Sequence, residues 1–237
     1  MKNTRYNRVF GLISAMFLLG CQGNRTLSIP FARDTIIVDG RLDEVYYRAH
    51  KPLSAFVSAG DHAHKPPLTR AWLFWCEENL TIAFECGDKT LASASPTTNE
   101  RNVDGQDRIE FFIWNGKPSS PYFCVEISPD GAVHDYKARF YRRFDDRWMP
   151  DGEWSYSALK TRTGYNVEVV LSRKALERMG CPLAKGHTFQ LGLFRADFDK
   201  FNGNPTWITW VDYGGEPDFH ISESFGHAEL TKPRSPR

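Results

Sequence analysis

The chain has 237 residues, 41% hydrophobic and 14% aromatic, with 30 basic and 29 acidic side chains. That length and apolar content suit one large domain or two small ones, with a sizeable core. A formal charge of +1 lacks the basic excess by which a nucleic-acid-binding chain is recognised, so no nucleic-acid partner is expected.

Lys2, Arg5 and Arg8 make a basic start, and residues 9–19 are mostly apolar. Such a run is too short to cross a bilayer as a helix and has the length of a signal-peptide core. It ends in Leu18-Leu19-Gly20-Cys21, which resembles the lipobox of bacterial lipoproteins, where the Cys becomes the lipidated first residue. Residues 1–20 are therefore expected to be a signal peptide and Cys21 a lipidation site holding the exported protein to a membrane. Several acyl chains on one residue anchor stably. Gln22 rather than Asp follows the Cys, which by the same resemblance points to the outer membrane or cell surface. Residues 21–33 read as a tether, 34–231 as one domain without linker, repeat or charge block, and the polar tail 232–237 as disordered.

Within the domain, short alternating runs dominate. Residues 70–75 and 80–86, separated by Glu77-Glu78-Asn79, form a hairpin signal. In 108–114, Ile109, Phe111 and Ile113 fall on one face and Arg108, Glu110 and Phe112 on the other. Residues 122–128 alternate likewise, and Pro129-Asp130-Gly131 supplies turn chemistry before a strand over 133–140. A second hairpin spans 154–161 and 165–171 around Thr163-Gly164, and strands over 189–196 and 206–210 complete the set. Only 42–50 and 173–179 look helical. This pattern predicts an all-β fold, an antiparallel β-sandwich of jelly-roll or immunoglobulin-like kind with one or two short helices. The remaining cysteines, Cys76, Cys86, Cys124 and Cys181, fit no zinc spacing. Cys76 and Cys86 fall at opposite ends of one hairpin and cannot meet. Cys86 and Cys124 read as buried free thiols, with a bridge left open.

Five stretches, in order, resemble the family 9 carbohydrate-binding modules: Val38-Asp39-Gly40-Arg41-Leu42-Asp43-Glu44, the strand pair over 71–88, Asp107-Arg108-Ile109-Glu110-Phe111-Phe112-Ile113, Gly164-Tyr165-Asn166-Val167-Glu168, and the closing Phe225-Gly226-His227-Ala228-Glu229-Leu230. The resemblance implies a β-sandwich that binds poly- or oligosaccharide without catalysis. A sugar needs a flat aromatic surface for its C–H face and polar side chains for its hydroxyls. By resemblance the sugar-binding Glu is Glu110, and a polar residue on a late strand corresponds to Arg195. The family clamps a terminal sugar between two Trp rings. Here Asp104 stands in place of the first, and Phe219 and His220 in place of the second. Trp148, Trp154, Trp207 and Trp210 are alternative platforms, each first read as packing. Glu168 is expected in an internal ion pair, and Arg108 and Arg195 are candidate partners for the two strand carboxylates.

Other chemistries leave thinner traces. No pair of acids is singled out for glycoside hydrolysis. No cofactor is expected, although a structural calcium ion is compatible with 102–107 or with 197–204. The latter fails the EF-hand template, with Ile208 where a Glu belongs. Haem would need axial ligands, for which His62, His64 and His220 are the candidates. A structural or interaction lipoprotein that keeps the fold without binding sugar is the main alternative.

Overall fold

A computed structural model describes residues 26–33, 36–61, 63–94, 100–148 and 152–232. Cys21, the expected signal segment and residues 233–237 lie outside it, as does His62. The strands are β1 (Leu27–Pro30), β2 (Val57–Ser58), β3 (Thr69–Trp75), β4 (Asn79–Gly87), β5 (Arg108–Trp114), β6 (Tyr122–Ile127), β7 (Val133–Arg139), β8 (Arg143–Asp145), β9 (Trp154–Thr161), β10 (Gly164–Ser172), β11 (Thr188–Phe198), β12 (Pro205–Thr209) and β13 (Gly226–Thr231). The larger sheet runs β1-β13-β11-β5-β6-β7-β8, with β12 beside β11 and β2 beside β12. The smaller runs β3-β4-β10-β9. Two sheets packed face to face are the expected sandwich.

The alternation read from the sequence decides which side chains meet between the sheets. Ile109, Phe111 and Ile113 of β5 and Phe123, Val125 and Ile127 of β6 join Ile82, Phe84, Val167 and Val169 of the facing sheet in the main core. The opposite face of the larger sheet carries a second core: Phe112, Trp114, Tyr122, Cys124, Tyr136 and Phe194, covered by Phe219 and Phe225. The larger sheet is therefore covered on both faces, which is why β5 and β6 are buried along their whole length.

Three local differences have physical causes. The first helix is only α1 (Val45–Ala49), because Leu42 holds a left-handed φ of 52° that no α-helix accepts. The second, α2 (Arg173–Arg178), begins where expected, capped by the Ser172 hydroxyl accepting from Ala175 N–H. The expected tether is partly folded. Leu27–Pro30 pairs in parallel with β13, Leu27 opposite Ala228, and Ile29 is fully buried. Cys76, Cys86, Cys124 and Cys181 are free thiols, all but Cys76 buried.

Glu168 corrects the ion-pair expectation. Its carboxylate accepts the backbone N–H groups of Asp39 (3.0 Å) and Gly40 (2.9 Å) and the Tyr47 hydroxyl. The Asp-Gly turn thus supplies the donors a buried carboxylate requires, and two motifs far apart in the sequence close on each other. Burial raises the Glu168 pKa against the pull of these donors.

Candidate functional site

A cavity of about 330 Å³ opens on the outer face of the larger sheet, lined among others by Asp104, Arg108, Glu110, Glu126, His134, Phe144, Trp207, Phe219 and His220. Its floor is a row across four strands. Phe194 of β11 lies opposite Glu110 of β5, Glu110 opposite Glu126 of β6, and Glu126 opposite His134 of β7. Like charges directly opposite are unfavourable. Arg108 offsets this: its Nε is 2.9 Å from Glu110 Oε1 and 2.7 Å from Glu126 Oε2. Its Nη1 donates to the Asp104 carbonyl at 2.8 Å. The Tyr136 hydroxyl donates to Glu126 Oε1 at 2.9 Å. Glu110 is 2% exposed. Burial, and then the charge of Glu126, push its pKa up to about 8 against the attraction of Arg108.

Asp104 ends a 3-10 helix, Glu100–Gly105, at the rim. Its side chain is half exposed and lies 3.2 Å from His134 Nδ1. Burial disfavours the charged His134 ring, but the bond to Asp104 and the charge of Glu126 outweigh it and raise the pKa. Also on the wall, His220 stacks on Phe112 at 5.2 Å, and its Nδ1 shares a 3.0 Å hydrogen bond with the Tyr122 hydroxyl. Burial, helped by the charge of Arg142, lowers the His220 pKa to about 4 and keeps the ring neutral.

The structure therefore brings Glu110, Asp104, Phe219 and His220 to one cavity and leaves Arg195 out. Arg195 is fully buried on the other face of β11, among the groups between the sheets. It donates to the carbonyls of Leu68 (3.1 Å) and Gly87 (3.0 Å), to Asp88 Oδ2 (3.0 Å) and to Asp197. It is a staple between the sheets, not a ligand contact. Phe219 also departs from the expected open platform: its ring lies parallel to Phe194 at 4.0 Å and edge-on to Trp207 at 5.4 Å. The accessible aromatic surface comes instead from Phe144, 43% exposed, and from half-buried Trp207, with the Arg108 guanidinium 5.5 Å from the Trp207 ring. Trp207 packs as expected, against Phe219, and also lines the cavity. The other three Trp pack too: Trp148 on Phe123, Trp154 on Tyr156, and Trp210 through a bond to the Leu191 carbonyl.

The two calcium-compatible stretches meet, Asn202 N–H donating to the Gly105 carbonyl at 2.8 Å. Asp88, Asp107 and Asp197 bring ligand oxygens within 4.8 Å of one another. Those oxygens are already engaged. The two of Asp107 accept from the Ala92 and Phe198 N–H groups, and Arg195 serves Asp88 and Asp197. A guanidinium and backbone amides fill the role of the ion, and the set does not fit calcium. Asp104, Glu126 and His134 form a second such group, in which Arg108 meets the Glu126 carboxylate and the Asp104 backbone carbonyl. Of the haem candidates, His64 pairs with Asp61 at the surface and His220 is held by Tyr122.

Residues 38–233 match the family model described as carbohydrate family 9 binding domain-like. Among solved structures, a family 9 carbohydrate-binding module from Caldicellulosiruptor kristjanssonii in complex with cellotriose superposes with a TM-score of 0.64 at 14% identity, over 89% of this chain and 95% of that one. A module of the same organism in complex with glucose gives 0.56 at 15% identity, over 89% and 98%. A putative carbohydrate-binding protein from Bacteroides uniformis gives 0.65 at 17% identity, over 87% and 99%. At these identities the likeness is one of fold. No curated protein matches the chain.

Proposed function

The chain belongs to the carbohydrate family 9 binding domain-like family, and from that premise we propose that it binds a sugar, without catalysis, in the cavity floored by Glu110. The observation that carries this reading is the placement of Glu110. The one carboxylate that the family pattern assigns to sugar forms the floor of a cavity walled by Trp207, Phe144 and His220. A volume of about 330 Å³ sits at the lower end for small-ligand pockets. Trp207 and Phe144 offer ring surface for the C–H face of a pyranose, and Glu110 and Asp104 accept from its hydroxyls. Relatives of the fold in complex with cellotriose and glucose support the ligand class.

Hydrolysis is the weaker reading. A glycosidase sets its carboxylates on either side of the scissile bond. Here Glu110 and Glu126 stand side by side on one floor, held by one guanidinium. Titration calorimetry of the intact protein with mono- and oligosaccharides tests the proposal. Saturable heat that Trp207→Ala abolishes supports it, and no heat at millimolar sugar favours a structural lipoprotein instead.

We further propose, from the lipobox-like Leu18-Leu19-Gly20-Cys21, that the protein is anchored at the cell envelope through Cys21 and holds glycan there for degradation. With β1 starting at Leu27, the six residues from Cys21 span at most about 20 Å, so the sandwich would sit close to the membrane. A Cys21→Ser variant that still fractionated with membranes would refute the anchor.

A further inference from the structure

We propose that the sugar bound here carries a free amino group, and that its ammonium sits on the cavity floor against Glu110 and Glu126. This deepens the sugar-site reading and rests on it. The argument is one of charge and donors. Glu110 and Glu126 are both buried, in direct cross-strand register, and share the single guanidinium of Arg108. A third carboxylate, Asp104, stands at the rim, 3.2 Å from His134 Nδ1. The other arginines of the lining are committed to acids, Arg142 to Asp218 at 2.8 Å and Arg101 to Asp146. With Asp104 set against His134, Glu110 and Glu126 have one guanidinium between them and are short of one positive charge.

A neutral sugar cannot supply that charge, and a uronate would bring a further carboxylate against Glu110, Glu126 and Asp104. An ammonium brings one unit of positive charge and three N–H donors, and ionised carboxylates only accept. Such charge-assisted bonds are the stronger kind, more so in a partly desolvated site. The groups around Glu110 are Arg108 on its own strand, Glu126, His134 and Tyr136 on β6 and β7, Asp104 on the 3-10 helix, and His220 on the wall. Of these only Arg108 is a permanent cation. Without ligand, the raised pKa of Glu110 means that a proton takes the missing charge. Binding of the ammonium then releases that proton from Glu110 to solvent. No bond other than that O–H breaks.

The test is calorimetry on the intact protein with glucosamine, N-acetylglucosamine, glucose and glucuronate, each in two buffers of different ionisation enthalpy. Glucosamine is expected to bind at least about tenfold more tightly than the other three, with release of up to one proton. Glu110→Gln and Glu126→Gln keep the side-chain shape and should bring glucosamine to the affinity of glucose. Equal affinity for glucose and glucosamine, tightest binding of glucuronate, or a preference that survives both substitutions would overturn the proposal while leaving a sugar site in place. Absence of binding by all four sugars at millimolar concentration would remove the sugar site as well.

Discussion

Replacing Arg195 by Met separates a staple between sheets from a sugar contact. Met retains much of the side-chain volume but removes the charge and every donor. Asp88 and Asp197 lose their cation, and the carbonyls of Leu68 and Gly87 lose donors at 3.1 and 3.0 Å. Breaking a buried ion pair from one side costs about 3–5 kcal/mol. The Leu68 carbonyl keeps the Gly87 N–H at 2.8 Å, the donor lost at the Gly87 carbonyl adds at most roughly 1–3 kcal/mol, and protonation of an aspartate returns part of the sum. The expected loss is about 3–5 kcal/mol. For a domain of this size that lowers Tm by roughly 6–20 °C, read by thermal circular dichroism. Sugar affinity, measured at a temperature where both proteins are fully folded, should stay within about twofold, since Arg195 does not line the cavity. The triple variant with Asp88→Asn and Asp197→Asn should regain much of the stability, because no uncompensated charge remains. A loss below about 1 kcal/mol, or a large fall in affinity in the folded protein, would refute the assignment.

Three further outcomes are expected. Glu110 titrates in the folded chain near 8 rather than its ordinary 4.5, through burial and then Glu126. Its contribution to stability is therefore fully present below about 4.5 and fades as pH rises through 8. Urea midpoints of the wild type should decline across that window, and those of Glu110→Gln should decline less; parallel curves would contradict the shift. Gly164→Ala should cost more than about 2 kcal/mol, because φ is 147° and the added Cβ would lie 2.0 Å from the Cys86 carbonyl oxygen. Its denaturant midpoint gives the answer directly. Of the four cysteines in the sandwich, Cys76 alone should react with a thiol reagent in the native state, the other three being buried; mass spectrometry before and after unfolding counts them.

Most of the sandwich was legible because its signal is local. Alternation in 108–114 and 122–127 separates the two faces of β5 and β6 without knowledge of any partner. Glu110 was legible for the same reason, as a charge on the face opposite Ile109 and Phe111. What the sequence hid depends on pairing between distant strands. Side chains alternate with a period of two, so a position carried over one residue off lands on the wrong face. Phe194 faces the cavity side and Arg195, the next residue, faces the main core. No local feature distinguishes those faces until β11 is set against β5. Trp207 was hidden likewise: β12 carries it to the cavity rim only through its pairing with β11. Glu168 looked like half of an ion pair because its true donors, two backbone amides and Tyr47, lie more than a hundred residues away.

The two buried arginines put the division between scaffold and site on a common physical footing. Ala196, beside Arg195, pairs with Arg108, so the two guanidinium groups lie on opposite faces of one sheet, and each serves two acids. Around Arg195, burial pushes Asp197 up to about 6 against the pull of the guanidinium, and the charges of Asp88 and Asp107 and a hydrogen bond donated to Asp88 add to the rise. Asp88 and Asp197 line a second cavity, but Arg195 itself is fully buried between the sheets. Around Arg108 the same two-to-one ratio faces a cavity. There the surplus can be met by a proton or by a ligand, and the exchange of one for the other is what a binding site requires. The ratio of charges alone does not make a site: Arg108 and both of its acids line one cavity, whereas Arg195 is sealed between the sheets.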